Sequence, residues 1–122
     1  MGTWEFTVES GVILIRLSGE ISVSDLHHLM PLMVDASKKY TSTKFLFDNT
    51  HSNLSLSTME IYGLPREAEA QGLKRTWMFA LVFPTPSRDS DFLEIMAKNT
   101  GYFAKTFRTV EDAMLWLREE TE

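Results

Sequence analysis

The sequence predicts an α/β fold in which helices pack on a mixed sheet, in the order β-β-α-β-α-β-α-β-α. Two strand-forming segments are separated by Glu9-Ser10-Gly11, a connection so short that it permits only antiparallel pairing. Two later apolar runs, Phe45–Phe47 and Trp77–Phe83, are typical of strands buried on both faces. Each is followed by a segment with apolar residues at helical spacing, and such alternating units predict parallel strands covered by helices.

The first two predicted strands form a hairpin. Trp4, Phe6 and Val8 alternate with polar residues, which is the period of a half-buried strand. The second strand, Val12–Leu17, is richer in β-branched residues and more apolar. Ser18-Gly19-Glu20 is expected to leave this strand and lead the chain to the first helix.

The first helix is predicted to start at Ser22, because Ser22 and Asp25 have the spacing of a helix start. Pro31 lies inside the helical pattern and removes one backbone hydrogen bond there, so we expect a kink or a later start. The apolar face at helical spacing contains Leu26, Leu29, Met30 and Met33, with Ala36 and Tyr40 as further candidates.

The middle of the chain is predicted to be a strand, a polar loop and a helix. Asp48 ends the Phe45–Phe47 run, and seven of the nine residues from Asn49 to Ser57 are polar. Ser57 and Glu60 have capping-box spacing, which predicts that the second helix begins at Ser57. Because open α/β sheets usually meet ligands and partners at the carboxyl ends of their strands, this loop is the expected working surface.

The rest of the chain continues the alternation of helix and strand. Gly63 and Pro65 interrupt the second helical pattern, so we expect a kinked helix or two short helices that end at Gly72. Thr76–Phe83 is the expected central strand. The remaining expected elements are a helix over Asp89–Asn99 that buries Phe92, Ile95 and Met96, a strand over Tyr102–Phe107, and a last helix capped by Thr109.

Composition and charge limit the function classes. The 122 residues are predicted to form one domain, residues 1–122. The net charge of −5 argues against nonspecific nucleic-acid binding, which needs a basic surface, and the lack of cysteine excludes disulfides and thiol chemistry. The N-terminal residues lack a signal-peptide pattern, and the longest apolar run has seven residues, whereas a membrane span needs about 20. These features predict a cytoplasmic protein with no membrane span, and no cofactor motif is found.

Three segments resemble STAS domains of the bacterial SpoIIAA-like branch, which includes the anti-sigma-factor antagonists. Leu17-Ser18-Gly19-Glu20-Ile21 resembles the exit from the family's hairpin, and Phe45-Leu46-Phe47-Asp48 resembles its third strand, which typically ends in aspartate. Residues 107–117, FRTVEDAMLWL, resemble the ending common in that branch. The resemblance covers nearly the whole chain and implies a noncatalytic regulatory module that binds a protein partner.

In anti-sigma-factor antagonists, a serine in the loop after that aspartate is phosphorylated by a partner kinase. The matching residue here is Ser57, with Thr58 beside it. The family's Asp-Ser-Ser-Gly run is mostly absent, because Leu56 precedes Ser57 and Met59 follows Thr58. Ser57 is therefore predicted to act mainly as a helix cap, and its role as a phosphoacceptor is the second interpretation.

The predicted binding surface combines the polar loop over residues 49–57 with the adjoining helix around residues 59–64. Tyr62 is expected to expose its ring, because Ile61, Tyr62 and Leu64 cannot all face one core across the predicted helix break. His27 and His28 point about 100° apart on a helix, and no acid–base constellation is found, so neither a metal site nor an enzyme is predicted. The proposed binding residues are Asp48, Asn49, Ser52, Asn53, Ser55, Ser57, Thr58 and Tyr62.

A second hypothesis is a small carrier or sensor of an apolar ligand such as a lipid. Some SpoIIAA-like domains resemble lipid-binding folds, and methionine side chains adapt to irregular pockets. The methionines compatible with such a pocket are Met30, Met33, Met59, Met96 and Met114, although ordinary core packing is the preferred interpretation.

Overall fold

The computed structural model describes residues 2–85 and 87–119, and its strands form one mixed sheet in the order β1-β2-β3-β4-β5. β1 and β2 pair antiparallel, and each later pair is parallel. The predicted order of strands and helices is confirmed. The elements are β1 (Thr3–Glu9), β2 (Val12–Ser22), α1 (Val23–Tyr40), β3 (Lys44–Ser55), α2 (Thr58–Gln71), β4 (Met78–Val82), α3 (Arg88–Asn99), β5 (Phe103–Phe107) and α4 (Val110–Glu119).

Helices cover both faces of the sheet in unequal numbers. The connections from β2 to β5 all step in one direction along the sheet, so right-handed crossovers place α1, α2 and α3 on one face, here called the three-helix face. This face holds a large cluster of buried side chains that includes Phe45 and Phe79. α4 follows the last strand and packs on the other face, the α4 face, against Leu46, Ala80 and Val82.

β2 and β3 are longer than the sequence predicts. Residues 18–20, which were expected to leave the hairpin, remain in β2, and residues 49–55 of the expected loop remain in β3. The two segments pair with each other in parallel, although they are distant in the sequence. This pairing satisfies the backbone hydrogen-bonding groups of residues 49–55, whose polar composition alone is typical of a loop.

The pairing of β2 and β3 changes register between Arg16 and Ser18. Gly19 follows at a φ of +81°, a conformation that glycine adopts without steric cost, and it lets β2 continue past the irregularity. β1 pairs with β2 as far as Ser18, and β4 pairs with β3 as far as Asp48. β2 and β3 therefore continue past the ends of these two neighbouring strands. We call residues 18–22 and 51–55 the β2–β3 ribbon.

The later start considered for the first helix and the two short helices considered for the second are wrong. α1 is continuous through Pro31, and α2 is continuous through Gly63 and Pro65. Pro31 is exposed, so water can reach the backbone carbonyl that lacks its usual donor. In α2 the burial of Leu64 and Pro65 against the core offsets the lost hydrogen bond. The helix ends at Gly72 as predicted, with a φ of +104°.

Further expectations about position and burial are corrected. β4 is buried along its whole length, but β3 rather than β4 is the middle strand of the sheet. Ile95, expected inside α3, is 52% exposed, and Tyr40 at the end of α1 is 44% exposed. Phe92 and Met96 are half-buried rather than buried. α3 therefore packs less deeply than its apolar residues suggest.

Candidate functional site

The carboxyl end of the β2–β3 ribbon brings the starts of α1 and α2 together, because Ser22 and Ser55 are paired across it. Both helices start with capping boxes, as predicted for the second helix. Ser22 Oγ accepts from the Asp25 amide at 3.2 Å, and the Asp25 carboxylate accepts from the Ser22 amide at 2.9 Å. Ser57 Oγ accepts from the Glu60 amide at 3.1 Å, and the return bond measures 2.8 Å. Two orphan amides at each helix start are thereby satisfied.

Asp48 and Asn49 face opposite sides of the sheet, as neighbours in a strand do. Asp48 shares the α4 face with Leu46 and is 6% exposed. Its carboxylate lies 3.6 Å from Arg16 Nε and accepts from the Thr50 amide at 3.0 Å. Asp48 therefore links β3 to β2 and does not join the other predicted binding residues.

Asn49 is 5% exposed and lines the interior of the three-helix face. Its Oδ1 accepts from the Ser52 hydroxyl at 2.9 Å, whereas its Nδ2 donates to the Phe47 carbonyl across 3.5 Å. A hydrogen bond of that length is weak, so the amide group retains donor capacity. The predicted residues Asn49 and Ser52 are thus brought together, but at the interior rather than on a surface loop.

The other predicted binding residues are exposed. Asn53 and Ser55 lie on the β2–β3 ribbon, and Thr58 lies in the first turn of α2. The predicted exposure of Tyr62 is confirmed, at 54%, although the helix has no break there. Its ring meets Phe92 of α3 edge-on, with the centroids 5.3 Å apart. These side chains share the end of the sheet at which β2 and β3 lead into their helices.

Two exposed apolar side chains that are not among the predicted binding residues extend this surface. Met59 is 77% exposed and Ile95 is 52% exposed. Met59 precedes Tyr62 by three residues and Ile95 follows Phe92 by three, so each pair lies on one helix face. We call Met59, Tyr62, Phe92 and Ile95 the α2–α3 patch. In the sequence, this patch is indicated by the three-residue spacing within each pair. Met59 and Tyr62 lie on a different side of α2 from the buried Ile61.

A cavity of about 140 Å³ lies between the sheet and the layer of α1, α2 and α3. Its lining is almost wholly apolar, and the polar side chains in it are Asn49 and Tyr102. The Tyr102 hydroxyl donates to the Leu73 carbonyl at 3.1 Å. Burial, together with the nearby charge of Glu69, raises the pKa of Tyr102, so the hydroxyl keeps its proton in this bond.

The five methionines singled out in the sequence occupy different environments. Met30 and Met33 line the cavity, whereas Met114 packs on the α4 face. Met59 belongs to the exposed patch, and Met96 is half-buried on α3. The methionines therefore do not form one pocket, and the two that matter to the cavity come from α1.

Asp48 and Ser52 are both engaged in structural interactions, since Asp48 contacts Arg16 and Ser52 donates to Asn49. Within residues 2–85 and 87–119, no group of three or more histidine, cysteine, aspartate or glutamate side chains could hold a metal ion. None of the helices in that part of the chain has the length and apolar character to cross a membrane.

The chain resembles solved structures over nearly its whole length. An anti-sigma factor antagonist from Mycobacterium paratuberculosis is 18% identical, with 97% of this chain and 95% of that chain covered and a TM-score of 0.67. SpoIIAA from Bacillus in its phosphorylated form is 19% identical, with 95% and 100% covered and a TM-score of 0.55. A protein with a SpoIIAA-like fold from Shewanella loihica is 16% identical, with 95% and 93% covered and a TM-score of 0.59.

No family model and no curated protein sequence matches the chain. The identities to the solved structures are below 20%, so these similarities establish the fold alone. The resemblance predicted from residues 17–21, 45–48 and 107–117 is confirmed at that level. The chain has the SpoIIAA-like fold of STAS domains, the fold seen in anti-sigma factor antagonists.

Proposed function

We propose that this chain is a noncatalytic regulatory module that binds a protein partner through the α2–α3 patch and the β2–β3 ribbon. The observation that carries the proposal is the exposure of Met59, Tyr62 and Ile95, at 77%, 54% and 52%, on neighbouring helices. Aromatic and methionine side chains are enriched in protein interfaces, and clustered exposed apolar side chains mark interaction sites. The polar ribbon leads directly into α2 and would supply the hydrogen-bonding rim of such an interface.

The fold and the charge favour a protein as the partner class. Solved proteins with this fold include anti-sigma factor antagonists, and we propose an anti-sigma factor or a protein of that kind as the partner. The net charge of −5 disfavours a nucleic acid, because backbone phosphates would be repelled. The single domain over residues 1–122 and the cytoplasmic location remain predictions within this proposal.

Ser57 has two roles in the proposal, and the helix cap is the main one. SpoIIAA has been solved in phosphorylated and unphosphorylated forms. The sequence resemblance matches Ser57 to the serine that is phosphorylated in anti-sigma-factor antagonists. Ser57 is exposed, so a kinase could reach it, and helix N-termini attract phosphate. A phosphate there would also lie beside the Glu60 carboxylate, which binds the Ser57 amide at 2.8 Å. Phosphorylation would therefore displace Glu60 from the cap and alter the start of α2 next to the patch.

Matched surface variants test the proposed interface. Tyr62→Ala and Asn53→Lys change the patch and the ribbon, whereas Leu115→Ala removes an apolar side chain of similar exposure, 48%, from α4. Each tagged protein is purified from its native host, the copurifying proteins are quantified, and the free energy of unfolding is measured in parallel. The expected result is a partner that the unmodified chain and Leu115→Ala retain and that Tyr62→Ala and Asn53→Lys lose while still folded.

The purified partner then gives a quantitative check by calorimetry. A central aromatic side chain in an interface contributes enough that Tyr62→Ala is expected to weaken binding about tenfold or more. A partner that binds all the variants equally, or that is lost by Leu115→Ala alone, would show that the interface lies elsewhere.

A further inference from the structure

The cavity on the three-helix face follows from the small side chains that line it. Ala68 of α2, Ala97 of α3 and Ala104 of β5 all border the space. An alanine side chain ends at Cβ, so elements that present alanines toward one another leave unfilled the volume that larger side chains would occupy. Protein cores contain few voids larger than a water molecule. A cavity of about 140 Å³ is therefore a distinct feature of this core rather than ordinary packing roughness.

The volume of the cavity sets the size of a ligand. An apolar cavity of about 150 Å³ in another protein stays dry and binds benzene. The cavity here is close to that volume, at about 140 Å³, and its lining is almost wholly apolar. It can therefore hold one ring or a short alkyl chain, of about six to eight non-hydrogen atoms. A long acyl chain exceeds this volume, so the cavity favours a smaller ligand than the lipid of the sequence-based hypothesis.

The lining excludes charge but offers one polar contact. A charged group in this apolar space would lose its hydration without a partner of opposite charge. The Tyr102 hydroxyl is already engaged with the Leu73 carbonyl at 3.1 Å. Asn49 is 5% exposed, and its Nδ2 makes only the long 3.5 Å bond to Phe47, so this amide can turn a donor toward a ligand oxygen.

Most of the half-buried side chains in the cavity lining lie toward the carboxyl ends of the strands. The half-buried members of its lining include Leu26 near the start of α1, Leu54 on the ribbon and Leu93 in α3. Members at the opposite end, such as Leu73 and Ala104, are buried. A ligand that enters between the half-buried residues would place its apolar part deepest and its polar atom nearest the entrance.

We infer that this cavity is a binding site for a small uncharged molecule with one ring or a short alkyl chain. One oxygen of that molecule accepts a hydrogen bond from Asn49 Nδ2, and the rest contacts the aliphatic and aromatic lining. A simple phenol or a short alcohol has this chemistry. The inference rests on the cavity alone and is independent of the proposed protein-binding surface.

The test uses the methionines as built-in reporters, with benzene and phenol as the probes. The protein is labelled with ¹³C at the methionine methyl groups and titrated with each probe by NMR. The Met30 and Met33 signals, from the cavity lining, are expected to shift saturably. Met59, which is exposed, and Met114, on the α4 face, are internal references whose signals are expected to stay unchanged.

Two variants and one control assign the binding to the cavity. Ala68→Leu fills the space and is expected to weaken both probes about tenfold or more, the loss expected when a side chain competes for the ligand's volume. Asn49→Leu is expected to weaken phenol about two- to tenfold, the value of one net hydrogen bond, and to leave benzene unchanged. Leu115→Ala, remote on α4, is expected to bind both probes like the unmodified chain.

Several results would overturn the inference. One is the absence of saturable shifts at Met30 and Met33 with either probe. Another is undiminished binding by a folded Ala68→Leu variant, which would locate the probe elsewhere. If hexadecanoate produced the same methyl shifts as benzene, the size limit would be wrong and a lipid would be the better ligand. Should Ala68→Leu fail to fold, the Asn49→Leu variant and the reference methyls still decide the outcome.

Discussion

The helices on the two faces of the sheet cover the same strands, but the side chains on the two faces pack differently. On the α4 face, one ten-residue helix places Ala113, Met114 and Leu117 at 0%, 5% and 0% exposure. These side chains meet strand residues such as Leu46 and Val82, which are both fully buried. A single helix can adjust its tilt and depth until its side chains fill the surface of the sheet.

The three-helix face carries more apolar side chains but leaves a cavity of about 140 Å³. Leu93 and Ala97 of α3 are only half-buried there, and the buried residue of that helix is Ser90. Three helices that must pack on one another and on the same sheet cannot each reach their best position. The candidate functional features, which are the cavity, the α2–α3 patch and the capped start of α2, all lie on this less tightly packed side. The α4 face is the more tightly packed side of the sheet.

The largest expected difference between the faces is the cost of truncating a leucine. Leu46→Ala on the α4 face is expected to lower the free energy of unfolding by about 4–5 kcal/mol, because the residue is fully buried and leaves a new cavity. Leu81→Ala is expected to cost about 2–3 kcal/mol, because Leu81 already borders a void and has fewer contacts to lose. Urea unfolding of both variants measures the two costs. Values within about 0.5 kcal/mol of each other would contradict the difference in packing.

Enlarging one alanine on each face is expected to give effects of opposite sign. Ala113→Leu inserts three carbons into a fully buried site on α4 and is expected to destabilise by about 1–3 kcal/mol. Ala68→Leu on α2 extends into the cavity and is expected to stabilise by about 0.5–1 kcal/mol. Both positions are helical, so helix propensity contributes equally to the two changes. Thermal and urea unfolding give the comparison, and destabilisation of the same size at both sites would mean that the cavity cannot accept a side chain.

The features that were predictable from the sequence depend on residues close together in the chain. The helix start at Ser22 with Asp25 and the capping box of Ser57 with Glu60 are confirmed, because a cap needs only a polar side chain and an amide three residues later. The exposure of Tyr62 is confirmed as well, although the reason given for it, a break in α2, is wrong.

The features that were not predictable depend on contacts between distant segments. Residues 49–55 are strand because the end of β2 pairs with them, and their own polar composition contains no sign of that pairing. The cavity forms because side-chain volume is lacking where Ala68, Ala97 and Ala104 line it. These alanines come from three separate elements, so no short stretch of the sequence indicates the cavity. The continuity of α2 through Pro65 is likewise decided by burial in the core. The site is therefore less predictable than the order of elements.

A smaller effect is expected from the cap of α2. Ser57→Ala removes the acceptor for the Glu60 amide and is expected to destabilise by about 1 kcal/mol. Ser57→Asp is expected to stay within about 0.5 kcal/mol of the unmodified chain, because aspartate also caps well. Ser22→Ala removes the corresponding cap of α1 and serves as the matched variant. Urea unfolding measures the stability of all three variants. If Ser57→Ala left stability unchanged and abolished partner binding, the cap would be the wrong main role and phosphorylation would gain support.

The smallest expected effect concerns how α3 is attached to the sheet. Glu94 accepts from the Thr106 amide of β5 and lies 3.4 Å from Lys98 Nζ. Burial raises the pKa of Glu94, but the hydrogen bonds from Thr106 and the charge of Lys98 together lower it more, and the net pKa is below its ordinary value. A carboxylate with a lowered folded-state pKa stabilises the fold above its unfolded pKa, and that stabilisation is lost as the pH falls through the folded pKa.

Glu94→Gln is therefore expected to cost less than about 1 kcal/mol at pH 7, since the carboxylate is partly exposed and screened. Below about pH 4.3, the ordinary pKa of glutamate, the difference between the variant and the unmodified chain is expected to shrink. Urea unfolding at both pH values measures this, with Glu111→Gln, an exposed acid of α4, as the control. Identical pH dependence with and without Glu94 would mean that α3 is held by its half-buried apolar side chains alone.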